Sequence, residues 1–300
     1  MLQRRTDLAL EARDMWAESA KEGAALDGVE AAQSERGGCP VTTIRVTSPE
    51  GARALGKPEG VYVTLELDGL RQREKNAFSR CARALADELR PLLRLNAGDC
   101  VLVAGLGNRA ITPDCIGPAA VRHTLVTRHL VEQLPEQFGR FRPVAALAAG
   151  VLGDTGVESS ELVRAMAEKI RPACVIAIDA LASRSLDRLC RTVQLTDTGI
   201  TPGSGVGNHR AALDRAALGV PVIAVGAPTV VDAGTLCADV LSQAGADVPE
   251  PDALRRAAAV MVTPRDIDQS AADLAKVIGY GVTLALQDGL TPEDLEMFLD

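Results

Sequence analysis

Two aspartates carry the chemistry this sequence offers most directly. Asp114 lies beyond the segment Gly105-Leu106-Gly107-Asn108, which leads out of the apolar run Cys100–Ala104, and it comes shortly before Pro118. Asp179 directly follows a second apolar run, Cys174–Ile178. A carboxylate in apolar surroundings is costly to desolvate unless it is paired or hydrogen-bonded, so Asp179 needs a reason to be there. Plainer roles compete for both residues. Asp114 also reads as the amino-terminal cap of a helix opened by Pro118. Asp179 also reads as a structural residue that accepts N–H groups of the following turn or pairs with Arg184. If the two instead face one another, each raises the other's proton affinity, and one proton is shared near neutral pH. Such a pair hydrolyses amides: the ionised member takes a proton from the attacking water, and the protonated member assists the carbonyl oxygen or the leaving nitrogen. Backbone N–H groups around Gly105 and Gly107 are candidates to stabilise the developing oxyanion.

Other constellations are weaker. The cluster Thr201-Pro202-Gly203-Ser204-Gly205-Val206-Gly207-Asn208-His209-Arg210 does not match a phosphate-binding loop, and a loop lining a cleft is the better use of Gly203 and Gly205. His209 beside Arg210 reads either as an assistant to a carboxylate or as a surface histidine. No GxSxG nucleophile elbow and no HExxH are present. Cys115 and Cys174 are conceivable nucleophiles, but the charge of Asp114 beside Cys115 would raise its thiol pKa. His123 and His129, read on one helix after Pro118, point to opposite faces and make no metal pair.

The elements needed to position these residues follow from hydrophobic patterning. Val41–Val46 and Val61–Leu67 alternate apolar with polar residues, as half-buried strands in a hairpin-like or edge pair do, with a helical turn or two between them at Glu50–Leu55. The unbroken apolar run Cys100–Ala104 suggests a strand buried on both faces, and the same strand-like density returns at Pro143–Ala149, Cys174–Ile178, Thr192–Leu195 and Pro221–Val225. Helical patterns at Asn76–Leu93, Pro118–Leu134, Ser159–Ile170, Arg184–Cys190 and Asp232–Ala244 precede or separate most of these runs, and others close the chain near Pro264–Leu286 and Pro292–Leu299. This alternation predicts an α/β fold, a mostly parallel sheet covered by helices on both faces, with its chemistry beyond the carboxyl ends of the strands. Residues Leu8–Gly38 read as a loosely held leader and linker, because their apolar positions are irregular.

Composition narrows the classes further. The chain has 300 residues, 47% of them hydrophobic but only 2% aromatic, so aliphatic residues must build the core and base stacking on aromatic platforms is disfavoured. With 32 basic and 40 acidic residues the net charge is −8, which repels phosphate backbones and makes direct nucleic-acid binding unfavoured. Seven scattered cysteines without a CxxC pair suit reduced thiols in a cytosol. No apolar stretch approaches the ~18 residues of a membrane span or forms a signal peptide.

A series of segments in one order resembles the germination protease family of spore-forming bacteria: Arg5-Thr6-Asp7-Leu8-Ala9, Tyr62–Glu66, Gly105–Asn108 with Thr112-Pro113-Asp114, Thr127–Leu130, Ala177–Ser185, Pro202–Asn208, Gly219–Ala224, Pro228–Ala233 and Met261–Pro264. The resemblance implies a phosphorylase/hydrolase-like fold akin to hydrogenase maturation proteases. It implies a cytoplasmic endopeptidase of the spore core or forespore, a homotetramer without cofactor or metal, that degrades small acid-soluble spore proteins. The family's two proposed catalytic aspartates fall on Asp114 and Asp179. Residues 1–7 then form a short propeptide ahead of a single peptidase domain, 8–300, with self-processing between Asp7 and Leu8. Gly105, Gly107, Asn108, Gly203, Gly205 and Arg184 are the expected substrate-binding or oxyanion residues. The cation that reads an acidic substrate side chain is sought among Arg109, Arg184 and Arg210. Two departures stand out: the segment before Asp7 is shorter than the family pattern, and the region between Asp239 and Met261 is abbreviated. Two other readings remain open, a hydrogenase-maturation-type peptidase binding nickel or cadmium through Asp114, Asp179 and His209, and a non-catalytic α/β protein that holds an anion.

Overall fold

The computed structural model describes residues 6–20, 26–203, 210–246 and 257–299. Among these, the strands are β1 Val29–Arg36, β2 Cys39–Val46, β3 Gly60–Glu66, β4 Val101–Leu106, β5 Val144–Gly150, β6 Cys174–Ser183, β7 Thr192–Thr196, β8 Val222–Asp232 and β9 Met261–Val262. They join one sheet in the order β1-β2-β3-β7-β8-β6-β4-β5, with β9 beside β8. The helices that matter below are α1 Ala9–Ser19, α2 Pro49–Leu55, α3 Ala77–Leu93, α4 Ile116–Arg122, α5 Ser159–Ile170, α6 Ala233–Gln243 and α7 Ile267–Leu286.

The α/β class is the expected one, and the central strands are buried on both faces. On β4, Val101 and Val103 enter one core while Leu102, Ala104 and Leu106 enter another. On β6, Ile176 and Ile178 face the first core and Val175 and Ala177 the second. Helices α3, α4 and α7 cover the first face through residues such as Leu85, Leu89, Ile116, Ala120 and Ile278, and α5 covers the second through Val163 and Ala167. Each buried Val, Leu or Ile side chain among these contributes about 1.5–3 kcal/mol of transfer free energy.

The balance of strand directions differs from expectation. β5, β4, β6 and β8 run parallel, but β8 pairs antiparallel with β7, β7 with β3, β3 with β2 and β2 with β1, so the sheet is mixed. The reason lies at Arg184–Cys190, which forms turns rather than the expected helix. A connection that short cannot return the chain for a parallel strand, which needs a crossover of a dozen or more residues, so β7 comes back antiparallel. The helix expected over Pro118–Leu134 is also interrupted: α4 stops at Arg122, and a separate short helix, Arg128–Gln133, follows, so His123 and His129 share no helix.

The leader reading requires the largest correction. Residues Ala9–Ser19 form a packed helix with Leu8, Ala9, Leu10, Glu11 and Ala12 buried, held against Ile44, Val46 and Tyr62 on the sheet. The stretch Val29–Arg36 is a strand, almost wholly exposed at the sheet's edge. Its hairpin with β2 turns at Gly37 and Gly38, both at positive φ (56° and 81°), the backbone that a tight two-residue hairpin needs. An edge strand with no buried face carries no alternation to read. Among the described residues, no helix is long and apolar enough to cross a membrane.

Candidate active site

The parallel half of the sheet puts the two aspartates at one locality. Pairing between β4 and β6 ends at Gly105 and Ile178, and Asp179 is the next residue along β6, which continues to Ser183 beside β8. The chain leaving β4 at this level loops through Asn108 and returns in a short 3-10 turn, Thr112–Asp114, before α4.

Glycines make that return close. A Cβ on Gly105 would lie 2.3 Å from the carbonyl oxygen of Gly117, so the bare backbone lets α4 seat directly on β4. Gly107 has φ +103°, and a Cβ there would lie 2.1 Å from the carbonyl oxygen of Asp114. Only glycine combines that left-handed backbone with that approach. The N–H of Asn108 then donates to Asp114 Oδ2 at 2.8 Å. Cys115 occupies the N-cap of α4 and no side chain caps it, so the carboxylate of Asp114 is turned to the loop and not to the helix.

Asp179 is 4% exposed, and its Oδ1 accepts the N–H of Ala180 at 2.9 Å. Its carboxyl is pushed up to about 8, chiefly by burial, next by the charge of Asp114, and further by Asp7, against the opposing pull of the Ala180 N–H and Arg210. Burial also raises Asp114 above the ordinary carboxylate range, while the Asn108 N–H and Arg210 favour its ionised form. The two groups therefore separate in role: Asp179 keeps the proton, and Asp114 gives it up first. Both thiols considered as nucleophiles move the wrong way for attack, Cys174 held at about 12 by burial and Cys115 raised by burial and by Asp114.

The other expected residues are distributed unevenly. Arg210 acts electrostatically on both aspartates, whereas Arg109 is exposed on the loop after Asn108. Gly203 lines a cleft of about 830 Å³ together with Asp7, Lys57, Asp179 and Gln194. Gly205 and His209 lie outside the described residues. Arg184 is engaged elsewhere: it is 8% exposed, and its guanidinium binds Asp239 Oδ1 at 2.7 and 2.9 Å and Glu18 Oε1 at 2.8 Å. Its own N–H and that of Ser185 donate to the buried carboxylate of Glu11, so this cluster fastens α1 and α6 to the end of β6. Arg184→Met should lower the unfolding free energy by about 3–5 kcal/mol, because it leaves Asp239 buried without its cation. Chemical denaturation measures this; a stable variant with a raised KM for acidic peptides alone would instead make Arg184 a substrate contact.

Two residues that pattern reading passed over complete the cleft, Lys57 and Gln194. Lys57 directly follows Gly56, the left-handed cap of α2, and its Nζ donates to the carbonyl oxygens of Thr6 (3.2 Å) and Asp7 (2.9 Å). Gln194 bridges the same segment: Nε2 donates to Asp7 O at 3.2 Å and Oε1 accepts the Ala9 N–H at 2.8 Å. An amide between Val193 and Leu195 in β7 is the available signal for Gln194. Lys57, in a polar connection, gave none.

Fold and site together define an α/β protein with two electrostatically coupled carboxyl groups at the strand ends, Asp179 buried and Asp114 partly so. The germination protease family model matches residues 9–257. The germination protease of Caldanaerobacter subterraneus subsp. tengcongensis is 39% identical, aligned over 98% of each chain, and that of Clostridium tetani is 38% identical over 99% of each. A Bacillus cereus germination protease is 45% identical over 79% of this chain and 65% of its own. Among solved structures, the [NiFe] hydrogenase maturation protease HycI of Thermococcus kodakarensis aligns with TM-score 0.36 at 17% identity, over 65% of this chain and 98% of that one. The chain belongs to the germination protease family, and is a peptidase.

Proposed function

We propose that this endopeptidase starts the degradation of small acid-soluble spore proteins at germination, and that Asp114 and Asp179 carry the hydrolysis. The observation that supports the assignment most is the carboxyl of Asp179, kept protonated at neutral pH by its burial and by the charge of Asp114. In this reading Asp114, ionised, removes a proton from water as it attacks the substrate carbonyl, and Asp179 supplies the proton to the leaving nitrogen. No cofactor enters these steps. Residues 1–7 form a propeptide and 8–300 the peptidase domain, and the chain processes itself between Asp7 and Leu8. The working form is a homotetramer in the cytoplasm of the spore core or forespore, and it engages neither nucleic acid nor membrane directly.

A peptide containing Thr-Glu-hydrophobic-Ala, incubated with the protein across a pH series, tests this reading. Activity should fall as pH rises through about 8, where Asp179 loses its proton. It should also fall on the acid side, at a pH above the ordinary aspartate value, where Asp114 gains one. Between the two limbs the pair holds the single proton the mechanism needs. A chain that leaves the peptide and its own Asp7–Leu8 bond intact at every pH overturns the proposal.

A further inference from the structure

The main chain of the segment Thr6–Ala9 is held at several points. The Asp7 N–H donates to Ala182 O at 2.9 Å, and the Ala182 N–H donates to Asp7 Oδ2 at 2.8 Å. The Asp7 carbonyl oxygen takes two donors, Lys57 Nζ and Gln194 Nε2, and the Ala9 N–H is taken by Gln194 Oε1. Leu8, between them, is fully buried. Gln194 pairs with Gly226 on β8, and Gly226 pairs with Asp179 on β6. Cross-strand partners point to one face, so Gln194 and Asp179 share a face of the sheet two strands, or about 10 Å, apart. The segment reaches from β6 to β7 over this row, and the charge of Asp7 is felt at Asp179.

We infer that Lys57 and Gln194 form the subsite that grips the substrate backbone around the scissile bond, with the Lys57 ammonium the principal donor to the carbonyl oxygen of the acidic residue. The inference rests on the proposed cut between Asp7 and Leu8, whose carbonyl is the one these groups hold. The acidic side chain accepts the Ala182 N–H, while the Lys57 and Gln194 contacts recognise peptide backbone. In the reaction, water oxygen bonds to the carbonyl carbon and one water proton passes to Asp114. The carbonyl π pair moves onto the oxygen facing Lys57 and Gln194. Collapse breaks the C–N bond, and the leaving nitrogen takes the proton from Asp179. An ammonium in a partly dehydrated site stabilises that oxyanion more strongly than it does the neutral carbonyl. Burial lowers the pKa of Lys57, and the charges of Asp7 and Glu11 pull it back up toward the protonated form.

The test follows release of residues 1–7 from the full chain by mass spectrometry, for wild type, Lys57→Ala, Lys57→Arg and Gln194→Ala, with thermal melting of each. Lys57→Ala should slow release about 10²–10³-fold, the usual loss on removing one oxyanion donor. Added ethylammonium should recover part of the rate in proportion to its concentration, and Lys57→Arg should keep part of it. Gln194→Ala should slow release about tenfold, the effect of losing one neutral hydrogen bond. A folded Lys57→Ala chain that cleaves at the wild-type rate, or a slowed one that neither ethylammonium nor arginine restores, overturns the inference. If Lys57→Ala does not fold, a Lys57→Arg rate equal to that of Gln194→Ala supports it, and a Lys57→Arg chain with no cleavage at all overturns it. A wild-type chain that cuts neither itself nor the acidic peptide instead overturns the proposed function beneath.

Discussion

Asp179→Asn should abolish peptide hydrolysis and at the same time stabilise the protein. The folded chain holds a proton at Asp179 up to about pH 8, whereas the unfolded chain releases it near the ordinary value of 3.8. The unfolded state therefore binds fewer protons between those values, and wild-type stability falls as pH rises through the window. The contribution is fully present below the unfolded value and is lost by about pH 8. Asparagine keeps the shape and the acceptor for the Ala180 N–H but never ionises, so it escapes this loss. At 1.36 kcal/mol per pKa unit the gain at neutral pH is of the order of 2–4 kcal/mol, several degrees in melting temperature for a chain of this size. The variant's stability should also be flatter with pH than wild type from 4 to 8. Activity should drop at least ~10³-fold, because a proton donor contributes ~10²–10⁴-fold and the asparagine supplies none. Denaturation curves across pH, run beside the peptide assay, check both halves. A variant that is inactive yet no more stable at neutral pH would mean that Asp179 is ionised in the fold. Asp114→Asn should be as inactive, but without the same stabilisation, since its carboxylate is less buried than that of Asp179 and ionises more easily.

Gly105→Ala should be among the most damaging small substitutions in the protein. The new methyl would meet the Gly117 carbonyl oxygen at 2.3 Å, the Gly117 carbonyl carbon at 2.5 Å and the Pro118 nitrogen at 2.9 Å, all backbone atoms that cannot rotate away. Either α4 lifts off β4 or the strand shifts within the sheet, and overpacking of this kind costs about 1–3 kcal/mol or more. Because Asp114 lies just ahead of α4, the same displacement moves a carboxylate whose charge is felt at Asp179. We expect a loss of about 3 kcal/mol in stability by this route and a fall in hydrolysis of at least ~10-fold from misplacement of about 1 Å. Gly153→Ala is the control: nothing lies within 4 Å of its added Cβ, and the change should be close to neutral. A Gly105→Ala chain with normal stability and a specific loss of turnover would instead favour a direct oxyanion role for the strand end.

Much of this arrangement was legible in the residues. Buried strands announced themselves as apolar runs, as at Val101–Ala104 and Val175–Ile178, because a strand covered on both faces has no polar side to show. Asp114 and Asp179 stood out because they break such apolar surroundings or follow a glycine turn. Patterning does not reveal α1 because its burial is decided at a distance: its small apolar face meets Ile44 and Tyr62, and its Glu11 is satisfied by the N–H groups of Arg184 and Ser185. β1 escaped notice because an exposed edge strand has no face to alternate.

The sequence by itself determined the α/β class, the core strands and the acidic side chains placed just beyond two of them, since these depend on local apolar runs and on residue types that neighbours in sequence reveal. Only the tertiary structure decided that the sheet is mixed, that Arg184 is tied to Asp239 and Glu18, and that Lys57 and Gln194 converge on the Asp7 carbonyl. Those outcomes rest on strand order and on contacts between residues far apart in the chain. No periodicity encodes such contacts, because the energy that selects them appears only once distant surfaces are packed together.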